Sequence, residues 1–314
     1  MTLRLRLLLC VLLTLFGVTG TGTAQVSRGT EIAGIIDVHF HVGPATVQSI
    51  TRSLDAIEAA QIAARHGMRA VVFKQHYLET ASWAYLVSRI VPGIQLFGGV
   101  ALNRSVGGLN PVAVENMATF PGGVGKVVYM PTFESEHYNP GSPIAVPISK
   151  NGQLLPEVFD VLDVMAKYDL SLSTGHSSPE ESLMLIRAAK DRGIDKIYVQ
   201  HPLLARVGMS IEMQHEAARL GALLEYVLGE GLGMHPPKFA YLDPEEFKHW
   251  AGAIREVGPE NVLISSDLGQ RGRAIPPDGF RMVLPLLADA GFSQAEIDMM
   301  TKRNPARFLG LEPW

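Results

Sequence analysis

The stretch IIDVHFH at residues 35–41 begins with apolar, β-branched residues and ends in two histidines. Residues two apart on a strand point to the same side, so His39 and His41 are expected to face the same end of a sheet together. Paired imidazoles suit a borderline-soft cation such as Zn²⁺. The same spacing also occurs where ordinary polar residues follow a strand, so the pair alone leaves both interpretations open.

Seven further strand-like runs follow the first, each separated from the next by a longer stretch. They cover residues 69–74, 94–101, 124–130, 170–174, 196–200, 222–228 and 261–266. Near-continuous apolar runs are typical of parallel strands that are buried on both faces. Eight strand-then-helix units predict an α/β protein whose sheet closes into a (β/α)₈ TIM barrel. An open, doubly wound sheet is the alternative, although no Gly-x-Gly-x-x-Gly turn follows the first run.

Helix signals between the runs favour the same alternation. Residues 54–66 have apolar positions at helical spacing and end at Gly67. Ser178 and Asp243 each precede a proline and two acidic residues, a combination typical of a helix start. The stretch 134–153 is long, rich in proline and glycine, and non-periodic, so we expect it to form a lid or a pocket wall.

The first 24 residues have the features of a secretory signal peptide. Arg4 and Arg6 precede an apolar run at residues 7–18, and small residues at positions 22 and 24 suit cleavage after Ala24. The run is shorter than the roughly 20 residues that span a bilayer, although an uncleaved anchor is the alternative. We therefore expect residues 25–314 to form one barrel domain that is secreted or periplasmic and leaves the membrane after cleavage.

Composition narrows the partners that the protein can have. Cys10 is the only cysteine, so a mature chain would contain no disulfide. The formal net charge is −4 and no basic run is present, which argues against a nucleic-acid partner. The expected partner is a small-molecule substrate, and a homo-oligomer is compatible with the sequence.

Three more predicted strands end in residues that could join His39 and His41. His176 follows strand five, His201 follows strand six and Asp267 follows strand eight. Barrel active sites are built at these carboxyl ends. Taken singly, His176 or Asp267 could cap a turn or a helix, and His201 could be a packed core residue. Their common position nevertheless predicts a single site.

These residues together resemble the amidohydrolase superfamily. Residues 301–311, which contain Asn304-Pro305-Ala306-Arg307, also resemble the closing helix of that superfamily. The resemblance covers almost the whole sequence after the signal, and its motifs are specific for the superfamily but not for a substrate. It implies a barrel with a C-terminal helical extension and a metal-dependent hydrolase activity.

Metal ligands are carried over from this resemblance residue by residue. It implies that one divalent metal ion, Zn²⁺ or a similar ion, is held by His39, His41, His176 and Asp267. His201 becomes either a ligand of a second metal or a group that polarises the substrate.

The end of strand four departs from the pattern of the binuclear members. Those proteins carry a carboxylated lysine or a glutamate there, bridging two metals. Here Lys126 lies too early, at the start of the strand, and Glu134 and His137 lie beyond it in the long loop. One metal is therefore favoured, with a second left open.

The expected chemistry follows from the metal, which activates water at neutral pH. Asp267 could accept the proton of that water, and His201 could stabilise a developing oxyanion. The expected target is an amide, lactone or ester-like bond in a small organic molecule. The alternatives are a metal-dependent decarboxylase of a small carboxylic acid and a non-catalytic, secreted ligand-binding barrel. Imidazole ligands must be neutral, so activity is expected to fall below about pH 6.

Substrate-binding residues are expected beside the ligands. Lys74 ends strand two and His76 lies two positions later, while Arg271 follows Asp267 in the last loop, with Arg273 as a weaker candidate. Glu225 interrupts the apolar strand seven. A buried acid needs a partner, so Glu225 is expected either to be paired structurally or to belong to the site.

Overall fold

The structure of the protein is a computed structural model that describes residues 32–46, 51–232 and 243–313. The predicted signal peptide at residues 1–24 lies outside the described residues and stays a prediction. Within the three described ranges, no helix combines the length and the apolar character needed to cross a membrane.

Eight parallel strands form one sheet in which each strand pairs with its neighbours in chain order. Every strand overlaps one of the predicted runs, so the predicted alternation is confirmed. The strands are β1 (Ile36–His41), β2 (Ala70–Lys74), β3 (Gln95–Ala101), β4 (Gly125–Tyr129), β5 (Ser171–Ser173), β6 (Ile197–Val199), β7 (Leu223–Val227) and β8 (Val262–Ser265).

The sheet closes into a barrel between β1 and β8, which confirms the predicted (β/α)₈ fold. Phe40 and Leu268 form a parallel bridge just beyond the end of β8. Asp267 N donates to His39 O at 3.1 Å, and His41 N donates to Leu268 O at 3.0 Å. Gly269 follows at a φ of +109°, where a Cβ atom would collide with the backbone of His41. This seam brings the carboxyl ends of the first and last strands side by side.

Helices cover the outside of the barrel and connect successive strands. A short hairpin, Ser149–Lys150 and Gln153–Leu154, precedes α4 in the long loop after β4. The helices are α1 (Ala56–Arg65), α2 (Ala81–Ser88), α3 (Pro111–Ala118), α4 (Pro156–Lys167), α5 (Pro179–Lys190), α6 (Ile211–Arg219), α7 (Leu228–Gly231), α8 (Pro244–Val257), α9 (Pro276–Asp289), α10 (Gln294–Asp298) and α11 (Asn304–Leu309).

The predicted helix starts at Ser178 and Asp243 are confirmed by their capping hydrogen bonds. Ser178 Oγ accepts from Glu181 N, and the Glu181 side chain accepts in return from Ser178 N. Asp243 caps α8 by accepting from Glu245 N. These bonds satisfy backbone N–H groups that the first turn of a helix leaves without partners.

The C-terminal helix α11 closes the amino end of the barrel. Its residues Ala306, Phe308 and Leu309 pack with the side chains that fill the barrel interior. Phe308 lies against Tyr198 with ring centres 4.6 Å apart, and Asn304 Nδ2 donates to Val262 O at 2.6 Å. The barrel is therefore filled and covered at this end, and its functional site lies at the other.

Candidate metal centre

Three buried side chains meet at the seam between β1 and β8. His39 and His41 come from the end of β1, Asp267 follows β8, and their exposed fractions are 1%, 1% and 6%. His39 Nε2 lies 3.2 Å and His41 Nε2 lies 2.9 Å from Asp267 Oδ1. Their potential ligand atoms all lie within 4.8 Å of one another. The strand pairing at the seam therefore produces a candidate metal site.

The donor set fits a divalent cation. Four ligand atoms bound tetrahedrally at about 2.0–2.1 Å from Zn²⁺ are roughly 3.3 Å apart, close to the two separations measured from Asp267. His39 Nε2 is buried and lies 3.2 Å from Asp267 Oδ1, but it forms no hydrogen bond with any described residue. A buried imidazole nitrogen without a hydrogen bond is costly unless it binds a ligand.

Glu225 fixes the orientation of the His39 ring through a hydrogen bond. Glu225 Oε1 lies 2.9 Å from His39 Nδ1 and accepts from Ser265 Oγ at 2.7 Å. Glu225 Oε2 accepts from His201 N at 3.3 Å. A carboxylate on one ring nitrogen of a histidine directs the other nitrogen toward a metal. Glu225 is thus both structurally paired and a support of the candidate site.

The other predicted histidines surround this set. The His176 ring lies 5.0 Å from that of His201, His201 lies 6.2 Å from His39, and His76 lies 5.0 Å from His41. His176 nevertheless stays outside the group whose ligand atoms lie within 4.8 Å of one another. The structure therefore brings together three of the four predicted ligands, with His176 and His201 beside them.

Burial favours the uncharged form of four histidines at this site. Removal from water lowers the pKa well below its ordinary 6.5 for four of its histidines: His41, His76, His176 and His201. The positive charge of Arg52 lowers the pKa of His41 further. Neutral imidazole is the form that binds metals, so the cluster is prepared for a cation at neutral pH.

Two site residues have strained backbone conformations. His201 has a φ of +26° and Asp267 a φ of +47°. Residues other than glycine rarely adopt positive φ, and such conformations persist where the surrounding structure enforces them, often at functional sites. Both residues lie two positions beyond the end of a barrel strand.

A cavity of ≈ 160 Å³ opens over the histidines at the carboxyl end of the barrel. Phe133 and Tyr138, from the segment that follows β4, line one side. The predicted pocket-wall stretch 134–153 therefore contributes Tyr138. Three arginines from three different loops also line the cavity: Arg52, Arg206 and Arg273.

The predicted substrate-binding residues are only partly found in this cavity. His76 lines it, with Nδ1 2.9 Å from Thr132 Oγ1. Lys74 is fully buried and does not line the cavity. Its Nζ lies 4.3 Å from the centre of the Tyr129 ring. Burial lowers the pKa of Lys74 to about 8. Arg271 is exposed and also lies outside the lining, because its backbone is bonded to Thr51 O while its side chain is in solvent.

The acids and bases of strand four and its loop do not reach the cluster. Glu134 Oε2 accepts from Arg104 N at 2.6 Å, and His137 is exposed. Lys126 lies at the start of β4, with Nζ 5.9 Å from the centre of the Phe97 ring. None of the three belongs to the group of potential ligands in the described residues.

Sequence reasoning missed several lining residues, namely Arg52, Phe133, Gln200, Arg206 and Gln270. The signal that could have identified them is position, because each lies in a segment that follows the carboxyl end of a barrel strand. Loops in this position form the active sites of such barrels.

Structural comparison shows which proteins of known structure share this fold. It is similar to an amidohydrolase from Pseudomonas aeruginosa, with a TM-score of 0.61, 11% identity and coverage of 89% of this chain and 96% of that chain. A mutant PTE-like lactonase from Deinococcus radiodurans gives a TM-score of 0.56 at 15% identity, covering 91% and 98%. A mutant organophosphorus hydrolase from the same organism gives 0.56 at 15%, covering 90% and 95%. The predicted resemblance to amidohydrolases is confirmed in the fold.

The sequence also matches a family. Residues 34–225 match the family described as a family of unknown function, DUF6282, and the chain belongs to that family. The matched segment contains His39, His41, His176 and His201, whereas Asp267 lies beyond it. No curated protein matches the sequence.

Proposed function

We propose that this protein is a metal-dependent hydrolase that acts on an amide, lactone or ester-like bond of a small organic molecule. The observation that carries this proposal is the convergence of His39 Nε2, His41 Nε2 and Asp267 Oδ1 at the mouth of the barrel. Two of the proteins with a similar fold are described as a lactonase and an organophosphorus hydrolase, which supports hydrolytic chemistry.

The proposed cofactor is one Zn²⁺ or a similar divalent ion. When bound, such an ion supplies Lewis acidity and allows water to act as a nucleophile at neutral pH. His39 and His41 would hold it through their Nε2 atoms, and Glu225 keeps the Nε2 atom of His39 directed toward it. Asp267 contributes Oδ1 to the set, so its Oδ2 atom is the proposed proton acceptor that later returns the proton to the leaving group.

His201 is proposed to bind a substrate oxygen. Ser173 Oγ donates to Gln200 Oε1 at 2.8 Å, which directs the Gln200 amide nitrogen to His201 Nε2 at 2.9 Å. Nδ1 is then the ring nitrogen left for the substrate, and it makes no hydrogen bond with any described residue. A proton on Nδ1 would stabilise negative charge that develops on the substrate.

Metal analysis of paired variants tests the proposal. Purified protein is expected to contain about one equivalent of metal per chain, and His39→Ala and Asp267→Asn should lose metal together with activity on a panel of lactones, esters and amides. His137→Ala is the matched control, because His137 is an exposed histidine outside the cluster. Protein that holds no metal as isolated or after addition of Zn²⁺, Mn²⁺ or Fe²⁺ would contradict the proposal, and two equivalents would require a second site at His176 and His201.

A carbon–carbon lyase is the second candidate. The three arginines of the cavity favour it, because guanidinium groups suit the carboxylate that a decarboxylase removes. Release of CO₂ from a panel of aromatic and aliphatic acids, without hydrolysis of the corresponding esters, would replace the hydrolase proposal by this one.

Export is proposed on the sequence alone. Residues 1–24 would direct the chain out of the cytoplasm and be removed after Ala24. Determination of the N-terminal residue of the protein from its native cell tests this: Gln25 is expected, whereas a chain that retains residues 1–24 would contradict cleavage.

A further inference from the structure

We infer that the substrate carries an oxyanion, either a carboxylate or a phosphate, which Arg52, Arg206 and Arg273 bind on the cavity wall. The inference rests on the proposed function only in assuming that the reaction takes place at the adjacent histidines. It adds the substrate class, which the ligand set does not specify.

The three arginines reach the cavity from different parts of the barrel. Arg52 follows β1, Arg206 follows β6 and Arg273 follows β8, and all three line the same ≈ 160 Å³ space. Arg52 also forms an antiparallel bridge with Gln270, which joins the loops after β1 and β8. Their convergence is therefore a product of the barrel and not of a local run of basic residues.

Arg273 interacts unfavourably with each of the other two guanidinium groups. Burial and then the charge of Arg273 lower the pKa of Arg52, to about 10, against the opposing effect of Asp267. Burial and the charge of Arg206 likewise lower the pKa of Arg273, again against Asp267. Partly buried like charges raise the energy of the protein unless something negative lies between them.

Asp267 offsets part of this positive charge. Arg206 and Arg273 form no ion pair with any residue in the described ranges. Asp267 is the acid that both Arg52 and Arg273 sense, but its carboxylate belongs to the candidate metal set. An anionic ligand would supply the missing negative charge.

The shape of the site matches a small, planar anion. Arg206 lies over the aromatic rings of Phe133 and Tyr138, with its Cζ atom 5.6 Å and 5.8 Å from their centres. Such packing fixes the plane of the guanidinium, whose paired N–H groups fit carboxylate and phosphate oxygens. The volume of ≈ 160 Å³ is similar to that of a cavity of about 150 Å³ that accommodates benzene, so the space beside the arginines can accommodate a group of about one ring.

The histidine cluster and the three arginines line the same cavity. His41, His176 and His201 are lining residues of the ≈ 160 Å³ space that the arginines also line. An oxyanion held between the arginines would therefore lie only a few bonds from the atom that reacts at the histidines.

Binding of simple probes to metal-free protein tests the inference, because removal of the metal leaves the arginines as the recognition element. Benzoate and phenyl phosphate represent the two kinds of oxyanion, and benzamide is the neutral analogue. We expect calorimetry on the chelator-treated full chain to show at least one of the two anions binding at least about tenfold more tightly than benzamide. The anion that binds more tightly identifies the group.

Two arginines of the same loop provide a matched pair of variants. Arg273→Gln removes a cavity charge and should weaken anion binding about tenfold or more, whereas Arg271→Gln removes an exposed charge outside the cavity and should change it less than about twofold. Arg52→Gln is a second cavity variant that should behave like Arg273→Gln. Equal binding of anions and benzamide, or equal losses in Arg271→Gln and Arg273→Gln, would overturn the inference.

Metal content separates this inference from the proposed function. Anions that fail to bind to a protein that holds metal and hydrolyses neutral esters would refute the inference alone. Arginine-dependent anion binding by a protein that never takes up metal would refute the proposed function and leave the inference standing.

Discussion

Replacement of Glu225 by glutamine is expected to weaken metal binding although Glu225 contributes no metal ligand. The carboxylate receives three hydrogen bonds, from His39 Nδ1, Ser265 Oγ and His201 N. A glutamine oxygen could retain the first two. Its amide nitrogen would then face His201 N, which is also a donor, and the bond to His39 would lose its charge.

The magnitude follows from these lost interactions. A hydrogen bond to a charged group contributes about 1.5–3 kcal/mol, against roughly 0.5–1.5 kcal/mol for a neutral pair. Mutation of a carboxylate that orients a metal-binding histidine costs about 10- to 100-fold in metal affinity. We therefore expect Glu225→Gln to raise the dissociation constant for Zn²⁺ by about 10- to 100-fold.

Competition with a chromogenic chelator would measure this change. Glu230→Gln is the matched control: burial and then the negative charge of Asp267 raise the pKa of Glu230 to about 8. Glu230 is therefore largely protonated at neutral pH, and a neutral amide changes its charge little. Equal Zn²⁺ affinity in Glu225→Gln and the parent protein, both correctly folded, would show that His39 needs no carboxylate and would refute the reasoning.

Three further predictions concern stability. Metal-free protein should lose unfolding free energy as the pH falls below 6.5, by up to about 1.4 kcal/mol per pH unit for each histidine. The reason is that these histidines bind protons in the unfolded chain, whereas the four buried imidazoles with lowered pKa do not. Equal stability in urea at pH 7.5 and pH 5.5 would contradict this. Gly98→Ala should destabilise the protein by about 1–3 kcal/mol or more, because a Cβ atom would collide with the backbone of Thr80 and Ala81. Gly252→Ala, in open space within α8, should stabilise the protein by about 0.5–1 kcal/mol. Similar unfolding midpoints for the two variants would refute the contrast. Phe308→Ala should cost about 3–5 kcal/mol without changing Zn²⁺ affinity, and a loss of metal would show that α11 does more than close the barrel.

The barrel strands and the histidine positions could be predicted from the sequence because both depend on local patterns. Strands that are buried on both faces have continuous apolar runs; His39 and His41 lie at the end of such a run, and Asp267 lies two residues beyond another. The carboxyl ends of the parallel strands all lie at one end of the barrel, so the proximity of these side chains follows from the fold class.

The lining of the cavity could not be predicted in the same way. Lys74 also ends a strand, yet its side chain is buried against Tyr129 and does not line the cavity. Arg271 and Arg273 are two residues apart in one loop, and only Arg273 lines the cavity. Loop residues have no periodicity, so the direction of each side chain depends on backbone bonds such as that between Arg271 N and Thr51 O.

The candidate metal site can form only in a chain whose first and last barrel strands are both present and paired. His41 and Asp267 are 226 residues apart in sequence, and the strands that carry them meet only when the sheet closes. A chain that is still being synthesised, or one cut before β8, possesses two of the three donors and no closed ring of strands. A cation that requires all three donors would therefore bind only barrels whose sheet has closed. It would also link β1 to the segment that follows β8.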